Sequence, residues 1–168
     1  NEILVSILSI TYNQVKYVKE MLDGFLNQET NFGFEILIHD DASTDGTIDI
    51  LREYEAKNSC IHIFAEKSNR FGEGINYINE LLLPNAKGKY IAICEGDDYW
   101  IDPLKLQKQV DYMNAHPDCT FCFSNGYVER AGGNRSDQKE KIIKRMQQND
   151  FQLSEQSAFH LEMMGDVV

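Results

Sequence analysis

Short apolar runs alternate with amphipathic segments along most of this chain, and that alternation limits the fold more than any other feature. Five apolar runs have the length of strands, and four segments place apolar residues three or four positions apart, as helices do. The predicted strands are residues 4–10, 34–38, 61–65, 90–94 and 119–124, and the predicted helices are 15–27, 74–83, 105–114 and one that begins at 45–47. Strands and helices that alternate through short loops indicate an α/β domain with a mainly parallel, twisted sheet and helices on both faces.

Length and composition fit one folded domain, or one domain and a fragment of another. The chain has 168 residues, of which 42% are hydrophobic and 26% are charged, a composition typical of globular rather than disordered proteins. Its longest nearly uncharged stretches, such as residues 4–13, are far shorter than the ~20 apolar residues of a membrane span, so we expect no transmembrane segment in this chain. The chain begins at Asn1 without a basic and apolar leader, and we expect it to be a piece cut from a longer protein.

The charge balance argues against one class of partner. With 16 basic and 27 acidic side chains, the formal net charge is −11 at pH 7. Binding to nucleic acid depends mainly on neutralising phosphates with Lys and Arg, so we expect no nucleic-acid partner. A phosphate-containing ligand would need a divalent cation or oriented backbone N–H groups at its site.

The four cysteines are Cys60, Cys94, Cys119 and Cys122, and only the last two have C-x-x-C spacing. They fall in the predicted strand 119–124, where positions three apart point to opposite faces and cannot easily bind one metal ion. We therefore expect structural thiols rather than a zinc or redox site. Free thiols fit a reducing cytoplasm, with peripheral attachment at the inner face of the membrane as a further option.

Polar residues follow each of the first four predicted strands. In a parallel α/β sheet the carboxyl ends of the strands meet at one edge, where ligands bind. The polar segments are residues 11–13, 40–43, 66–70 and 95–98. From Gly126 the chain becomes polar and loses its apolar period, which predicts one domain over residues 1–125 and a loop with the start of another subdomain over 126–168.

The most informative polar segment is Glu95-Gly96-Asp97-Asp98, directly after an apolar strand. Three carboxylates within four residues repel one another, so their placement at a strand end indicates a compensating cation. Hard oxygen ligands suit Mg²⁺ or Mn²⁺ rather than zinc. The alternative is an acidic turn that leads into the helix after Asp102 and Pro103.

At this point the sequence resembles the family 2 glycosyltransferases of the GT-A fold, a Rossmann-like nucleotide-binding domain. The resemblance covers residues 3–125, with Gly72 one residue later than the commonest spacing and Glu95 where Asp is commoner. The segments that carry it are residues 5–7 with 11–13, 40–47 (DDASTDGT), 69–76 and 95–106 (EGDDYWIDPLKL).

This resemblance implies a nucleotide site and a metal site. The nucleobase would pack near the first two strand ends, and a carboxylate there suits the imide N–H of uracil or thymine, so a UDP-sugar is the expected donor. Asp97 would lie beside the ribose, and Asp98 would bind the Mn²⁺ or Mg²⁺ ion that bridges both phosphates. The implied nucleotide-binding residues are Thr11, Tyr12, Asn13, Asp40, Asp41, Arg70, Asn76 and Asp97.

The implied reaction is the transfer of a sugar, with inversion, to an acceptor hydroxyl on a glycan or lipid-linked acceptor in surface polysaccharide or glycan biosynthesis. It needs a carboxylate base, which the family places well beyond the metal motif, so we expect the base beyond Val168. The carboxylates that remain in the chain have no recognisable catalytic context; they are Asp150, Glu155, Glu162 and Asp166. The alternative function is a nucleotide-sugar or metal-binding module without transfer activity.

Several of these residues also have structural interpretations. Asp45 fits a helix cap or turn better than a ligand contact, because Asp-Gly-Thr before an apolar stripe is a helix-start signal. Asp40 and Asp41 could form the acidic pocket of a phospho-receiver domain, but the strand-end Thr or Ser and Lys that would complete it are missing. Tyr99 and Trp100 would either pack beneath the acidic loop or stack on a sugar. Three histidines are expected to be structural or solvent-facing: His39, His62 and His116.

Overall fold

The computed structural model describes residues 2–124, so the predicted region 126–168 lies outside the described residues. Its strands are β1 (Ile3–Thr11), β2 (Gly33–Asp40), β3 (Ile61–Ala65) and β4 (Tyr90–Ile93). Its helices are α1 (Val18–Leu26), α2 (Thr47–Lys57), α3 (Leu83–Asn85) and α4 (Lys105–Ala115). None of the helices in residues 2–124 has the length and apolar character needed to cross a membrane.

The four strands form one parallel sheet in the order β3-β2-β1-β4. From the central β1 the chain first builds β2 and β3 on one side and then returns to place β4 on the other. In a sheet of this kind ligands bind outside the carboxyl ends of the strands, where the order reverses. That position lies between β1 and β4, and the residues that follow these two strands are 12–15 and 94–98.

Apolar side chains cover both faces of the central strand. Val5 and Ile7 pack on one face against the apolar sides of α1, α2 and α4. Leu8 packs on the other face with Leu37 and Leu82, which belongs to the helical segment 78–85. Each fully buried side chain of this size contributes about 1.5–3 kcal/mol, so the end of β1 is held firmly between two layers. The predicted α/β sheet with helices on both faces is confirmed.

The third predicted helix, residues 74–83, was wrong in its start and in its type. The chain makes a short 3₁₀ turn at Phe71–Glu73, a π-helical turn at Ile78–Leu82 and then α3. Pro84 gives a physical reason, because it has no N–H to donate to the carbonyl of Glu80 and its ring would crowd that carbonyl in an α-helix. The wider π-helical turn precedes this proline.

The fifth predicted strand, residues 119–124, was also wrong, because this segment forms no strand in the described structure. Thr120, Phe121 and Cys122 instead line an apolar cavity of about 210 Å³ beside β4 and α4. The strand-based argument about Cys119 and Cys122 therefore fails, although all four cysteines are free thiols. Burial raises the pKa of the Cys122 thiol, which keeps it protonated and unreactive.

Candidate functional site

The loops after β1 and β2 are joined by hydrogen bonds from backbone to side chain. The Asn13 N–H donates to Ser43 Oγ at 2.9 Å, and the Thr44 N–H donates to Asn13 Oδ1 at 2.8 Å. Asn13 has a φ of +53°, a left-handed conformation that asparagine tolerates better than most residues. The predicted nucleotide residue Asn13 therefore holds the two loops together with its own side chain, and neighbouring Tyr12 is left exposed.

Asp45 extends the same junction. Its carboxylate accepts hydrogen bonds from the backbone N–H groups of Val15 and Thr47, both at 3.0 Å, at the start of α2. Burial raises the pKa of Asp45, but hydrogen bonds from Thr47 and Val15 outweigh that effect and keep the pKa below its usual value. The expected helix-start role of Asp45 is confirmed.

Asp40 is buried, and its carboxylate is already occupied by the protein. Its register partner Thr11 donates its hydroxyl to Asp40 Oδ1 at 3.0 Å, and the Ser43 N–H donates to Oδ2 at 2.9 Å. Ala42, in the turn between them, has a φ of +58°. The structure thus brings Thr11 and Asp40 to the site but uses both side chains to shape the turn.

Asp41 connects three strand ends. Its N–H donates to the Thr11 carbonyl at 3.0 Å, and its Oδ1 accepts the Arg70 N–H at 2.9 Å. Its own carbonyl accepts a longer bond of 3.4 Å from Asn69 Nδ2. Within residues 2–124 no group donates to Asp41 Oδ2, so this oxygen remains available to a ligand.

The Arg70 and Asn76 side chains make local contacts. The Arg70 guanidinium donates twice to Glu73 Oε2, at 3.0 and 2.8 Å, in an exposed ion pair. Such surface pairs contribute about 0–1 kcal/mol, so Arg70 can exchange Glu73 for a ligand at little cost. Asn76 Oδ1 accepts the Asn79 N–H at 3.2 Å, which makes Asn76 a cap for the helical segment 78–85.

The acidic loop 95–98 rests directly on the end of β1. The Gly96 N–H donates to the Ile10 carbonyl at 3.1 Å. A Cβ atom at Gly96 would lie 1.9 Å from Gln14 Oε1 and 2.6 Å from Thr11 Cγ2, so only glycine fits here. This close approach places the carboxylates of the loop at the point where the strand order reverses.

Asp98 carries the clearest electrostatic signal of the site. Burial, together with the nearby carboxylates of Asp97 and Glu95, raises its pKa to about 6. Among the described residues, none donates a hydrogen bond to the Asp98 carboxylate. Within residues 2–124 nothing therefore offsets its negative charge, which fits a hard divalent cation.

The same region also limits how a metal ion could bind. The described residues contain no group of three or more His, Cys, Asp or Glu side chains arranged to hold a metal ion. An ion at Asp98 would need further oxygen ligands, and the oxygens of a diphosphate are of the right kind.

Two aromatic side chains near the site are packed inside the protein. Trp100 is buried in the core, with its ring centroid 4.7 Å from that of Phe25, so of the two roles left open for it, packing is the one observed. Tyr77 stacks on the buried ring of His39, with 3.7 Å between centroids. The sequence did not single out Tyr77, because its contact with His39 joins residues that are far apart in the chain.

Together, the parallel sheet, the crevice where its strand order reverses and the acidic loop in that crevice define an open α/β domain with its crevice at the usual ligand position of such sheets. The model of the family Glycosyl transferase family 2 matches residues 6–164, and the chain belongs to this family. The resemblance found in the sequence is confirmed.

Relatives with similar sequences include named glycosyltransferases. The chain is 48% identical over 119 residues to the Mycobacterium tuberculosis protein Rv1520, across 71% of this chain and 34% of that protein. It is 36% identical to the putative teichuronic acid biosynthesis glycosyltransferase TuaG of Bacillus subtilis, across 74% and 46%. It is 34% identical to the UDP-Glc:alpha-D-GlcNAc-diphosphoundecaprenol beta-1,3-glucosyltransferase WfaP of Escherichia coli, across 76% and 47%. The chain thus spans between a third and a half of the length of these relatives.

Solved structures share the fold. Residues 1–349 of TarS of Staphylococcus aureus, in complex with UDP, superpose with a TM-score of 0.62 at 24% identity, across 79% of this chain and 37% of that TarS chain. The mannosyltransferase PcManGT of Pyrobaculum calidifontis, in complex with GDP-Man and Mn²⁺, gives a TM-score of 0.58 at 22% identity, across 77% and 36%. These likenesses support the GT-A fold of the chain.

Proposed function

We propose that this chain is the donor-binding part of a metal-dependent, inverting glycosyltransferase that uses a nucleotide-diphosphate sugar. The observation that carries the proposal is the uncompensated Asp98 carboxylate at the crevice between β1 and β4, in a chain of this family. A divalent metal ion there offsets the negative charge of the departing diphosphate. The Mn²⁺ in the PcManGT complex supports this choice of ion.

The proposed donor is a UDP-sugar. Asp41 Oδ2 is free to accept the imide N–H of uracil, while Oδ1 keeps its bond to the Arg70 N–H. Tyr12, exposed beside this position, offers an aromatic face to the base. WfaP is named for UDP-Glc and TarS was solved with UDP, whereas PcManGT was solved with GDP-Man, so family membership alone leaves the base open.

The remaining proposed contacts follow the path from base to phosphates. Asp97 is exposed at the crevice and would accept a hydrogen bond from a ribose hydroxyl. Arg70 would leave Glu73 and turn to the nucleotide, where its guanidinium offsets phosphate charge. Three further residues would act indirectly, by holding the loops that carry these groups in shape: Asn13, Asp40 and Asn76.

For the acceptor side of the reaction, we propose only the type of catalytic group and the class of acceptor. Inversion by one displacement needs a carboxylate that removes the proton of the acceptor hydroxyl, on the face opposite the diphosphate. The four candidates from the sequence, Asp150, Glu155, Glu162 and Asp166, lie outside the described residues. We propose a glycan or lipid-linked acceptor in surface polysaccharide synthesis, because TuaG is named for teichuronic acid biosynthesis and WfaP for a diphosphoundecaprenol acceptor. The proposed location is the cytoplasm or the inner face of the membrane, which the free thiols fit.

Isothermal titration of UDP in the presence of Mn²⁺ tests the base pocket. Asp41→Asn should keep the bond to the Arg70 N–H through its amide oxygen but lose the second acceptor oxygen. We expect UDP affinity to fall by about 1.5–3 kcal/mol, the value of a hydrogen bond to a charged group. The matched control is Asp111→Asn on α4, where the carboxylate accepts a bond from Gln107 Nε2 away from the site.

Two results would contradict this assignment. UDP affinity that is unchanged in Asp41→Asn would remove Asp41 from the base pocket. An equal loss of affinity for GDP and UDP would show that the substitution disturbs the loop as a whole and does not act through recognition of uracil.

A further inference from the structure

His39 and Tyr77 form a buried stacked pair next to the proposed base pocket. His39 is completely buried on β2, and Tyr77 is 8% exposed. Their ring centroids lie 3.7 Å apart with 17° between the ring planes. Since side chains alternate along a strand, His39 faces the side of the sheet opposite to Asp40 and the same side as Asp41.

This pair retains polar atoms that the protein does not satisfy. In residues 2–124 neither ring nitrogen of His39 has a hydrogen-bond partner, and the Tyr77 hydroxyl has none. Tyr77 also directly precedes the π-helical turn Ile78–Leu82, a conformation that occurs often at functional sites. Buried unsatisfied groups destabilise a fold, so this pair lowers the stability of the protein at the place where it stands.

The charged side chains around the His39–Tyr77 pair include those proposed for the base pocket, Asp41 and Arg70. Glu66 Oε1 lies 3.8 Å from His39 Nε2. Burial lowers the pKa of His39, while the carboxylates of Asp41, Glu66 and Asp40 act against it. Burial raises the pKa of Tyr77, and its phenol also interacts with Arg70, Glu66, Asp41 and Glu73.

The loop that carries Arg70 is attached to the end of β2 at three places. At its start, the Glu66 N–H donates to the Asp40 carbonyl at 2.9 Å. In its middle, the Arg70 N–H donates to Asp41 Oδ1 at 2.9 Å. At its end, the Tyr77 ring lies on His39. The stack is thus an attachment at the far end of residues 66–77, next to Ile78 and Leu82, which pack with Leu37 in the core.

We propose that His39 and Tyr77 are positioning residues for the nucleobase pocket. Their stack fixes the end of the 66–77 loop and thereby keeps the Arg70 N–H on Asp41, so the pocket is formed before the nucleotide arrives. This inference rests on the proposed nucleotide site. The ring contact, rather than the Tyr77 hydroxyl, carries the effect.

The test compares two substitutions of one residue. Tyr77→Leu removes the ring and should accelerate amide hydrogen exchange at Arg70 and weaken UDP binding with Mn²⁺, each up to about tenfold, the size expected for one aromatic pair. Tyr77→Phe keeps the ring and should retain both properties. The matched control is Tyr112→Leu, which removes the Tyr112–His116 stack on α4, where the centroids lie 4.1 Å apart, and should change neither.

A second variant keeps the test decisive if Tyr77→Leu does not fold. His39→Phe preserves a stacked ring and removes the two unsatisfied nitrogens, so we expect wild-type UDP affinity and a higher melting temperature. A loss of affinity in folded His39→Phe would overturn the proposal, because the ring nitrogens would then carry the effect.

The remaining outcomes separate this inference from the proposed function. Unchanged Arg70 exchange and unchanged UDP affinity in folded Tyr77→Leu would overturn the positioning pair. Equal losses in Tyr77→Phe and Tyr77→Leu would assign the effect to the hydroxyl and also overturn it. If the wild-type chain bound no nucleotide diphosphate, the proposed function would fail, while Arg70 exchange would still decide whether the stack fixes the loop.

Discussion

The carboxylate of Asp98, in the proposed metal site, lowers the stability of the metal-free protein. The folded-state pKa of about 6 is above the ordinary value of 3.8. Between these two values the folded protein holds more protons than the unfolded chain, so stability falls as the pH rises through that range. Above pH 6 the charged Asp98 therefore destabilises the metal-free protein, and a bound cation would reverse this.

Asp98→Asn should therefore stabilise the metal-free protein while it removes metal-dependent binding. We expect the free energy of unfolding at pH 7 to rise by about 1–2 kcal/mol, a value reduced for the partial exposure of the side chain, with a smaller gain near pH 4. Urea denaturation in EDTA at the two pH values measures this, and titration of UDP with Mn²⁺ measures the loss. A variant that is less stable than wild type at pH 7, or that binds UDP normally with Mn²⁺, would contradict the assignment.

The pKa shift of His39 changes stability with pH in the opposite direction to that of Asp98. Burial holds its folded-state pKa below 6.5, so the unfolded chain takes up protons first as the pH falls. Its contribution to stability is present above pH 6.5 and is lost as the pH falls below that value. We expect His39→Phe to reduce the loss of unfolding free energy between pH 7 and pH 5, measured by urea denaturation, and an unchanged slope would contradict the burial argument.

The sequence located the polar residues of the site better than it predicted their contacts. A residue's place after a strand is visible in the sequence, and this is why Thr11, Asp41 and the acidic loop were found. Several of these side chains take partners from distant loops, as with Asn13 and Thr44, 31 positions apart, and Thr11 and Asp40, 29 positions apart. That information lies in the packed structure, so the commitment of Asn13 and Asp40 to the protein itself could not be predicted.

At the level of elements, the contact between β1 and the loop after β4 depends on a single glycine. Gly96→Ala would force a Cβ to within 2.6 Å of Thr11 Cγ2 and 2.9 Å of the Ile10 carbonyl, so the acidic loop must move away from β1. We expect the free energy of unfolding to fall by about 1–3 kcal/mol, as for overpacked sites, together with weaker UDP binding in the presence of Mn²⁺.

Gly72→Ala is the matched control for this substitution. A Cβ at Gly72 meets nothing within 4 Å, and its φ lies outside the left-handed range. The control should leave stability within about 0.5 kcal/mol of wild type, as is usual for surface changes. A tolerated Gly96→Ala, with stability and affinity like those of Gly72→Ala, would show that the close approach is not required.

The helices and strands predicted most accurately are those whose formation depends mainly on their own local sequence. β3 was predicted at its observed bounds and α1, α2 and α4 within three residues, because each has a clear apolar period and a matching partner in the sheet or core. Residues 119–124 also form an apolar run of strand length, yet a strand needs a neighbour for its backbone hydrogen bonds, and the sequence cannot show one. Residues 74–83 went wrong through Pro84, whose effect extends back four positions.

For the whole molecule, the decisive quantity is the charge balance. A chain with a formal net charge of −11 repels a diphosphate, and its acidic loop adds repulsion where the phosphates would sit. Arg70, the basic residue proposed to offset this repulsion, is already paired with Glu73. We therefore expect the metal ion and the nucleotide each to bind more tightly when the other is bound.

Reciprocal coupling between Mn²⁺ and UDP is the expected consequence. Mn²⁺ should strengthen UDP binding by about 5–150-fold, and UDP should strengthen Mn²⁺ binding by the same factor, because coupling free energies are symmetric. Uridine contacts the base pocket but brings no phosphate, so its affinity should not change with Mn²⁺, and Asp98→Asn should abolish the coupling for UDP. Calorimetric titration of each ligand with and without the other measures both factors. Equal UDP affinity in EDTA and in Mn²⁺ would mean that backbone N–H groups and Arg70 hold the diphosphate without a cation, and that the acidic loop serves another purpose.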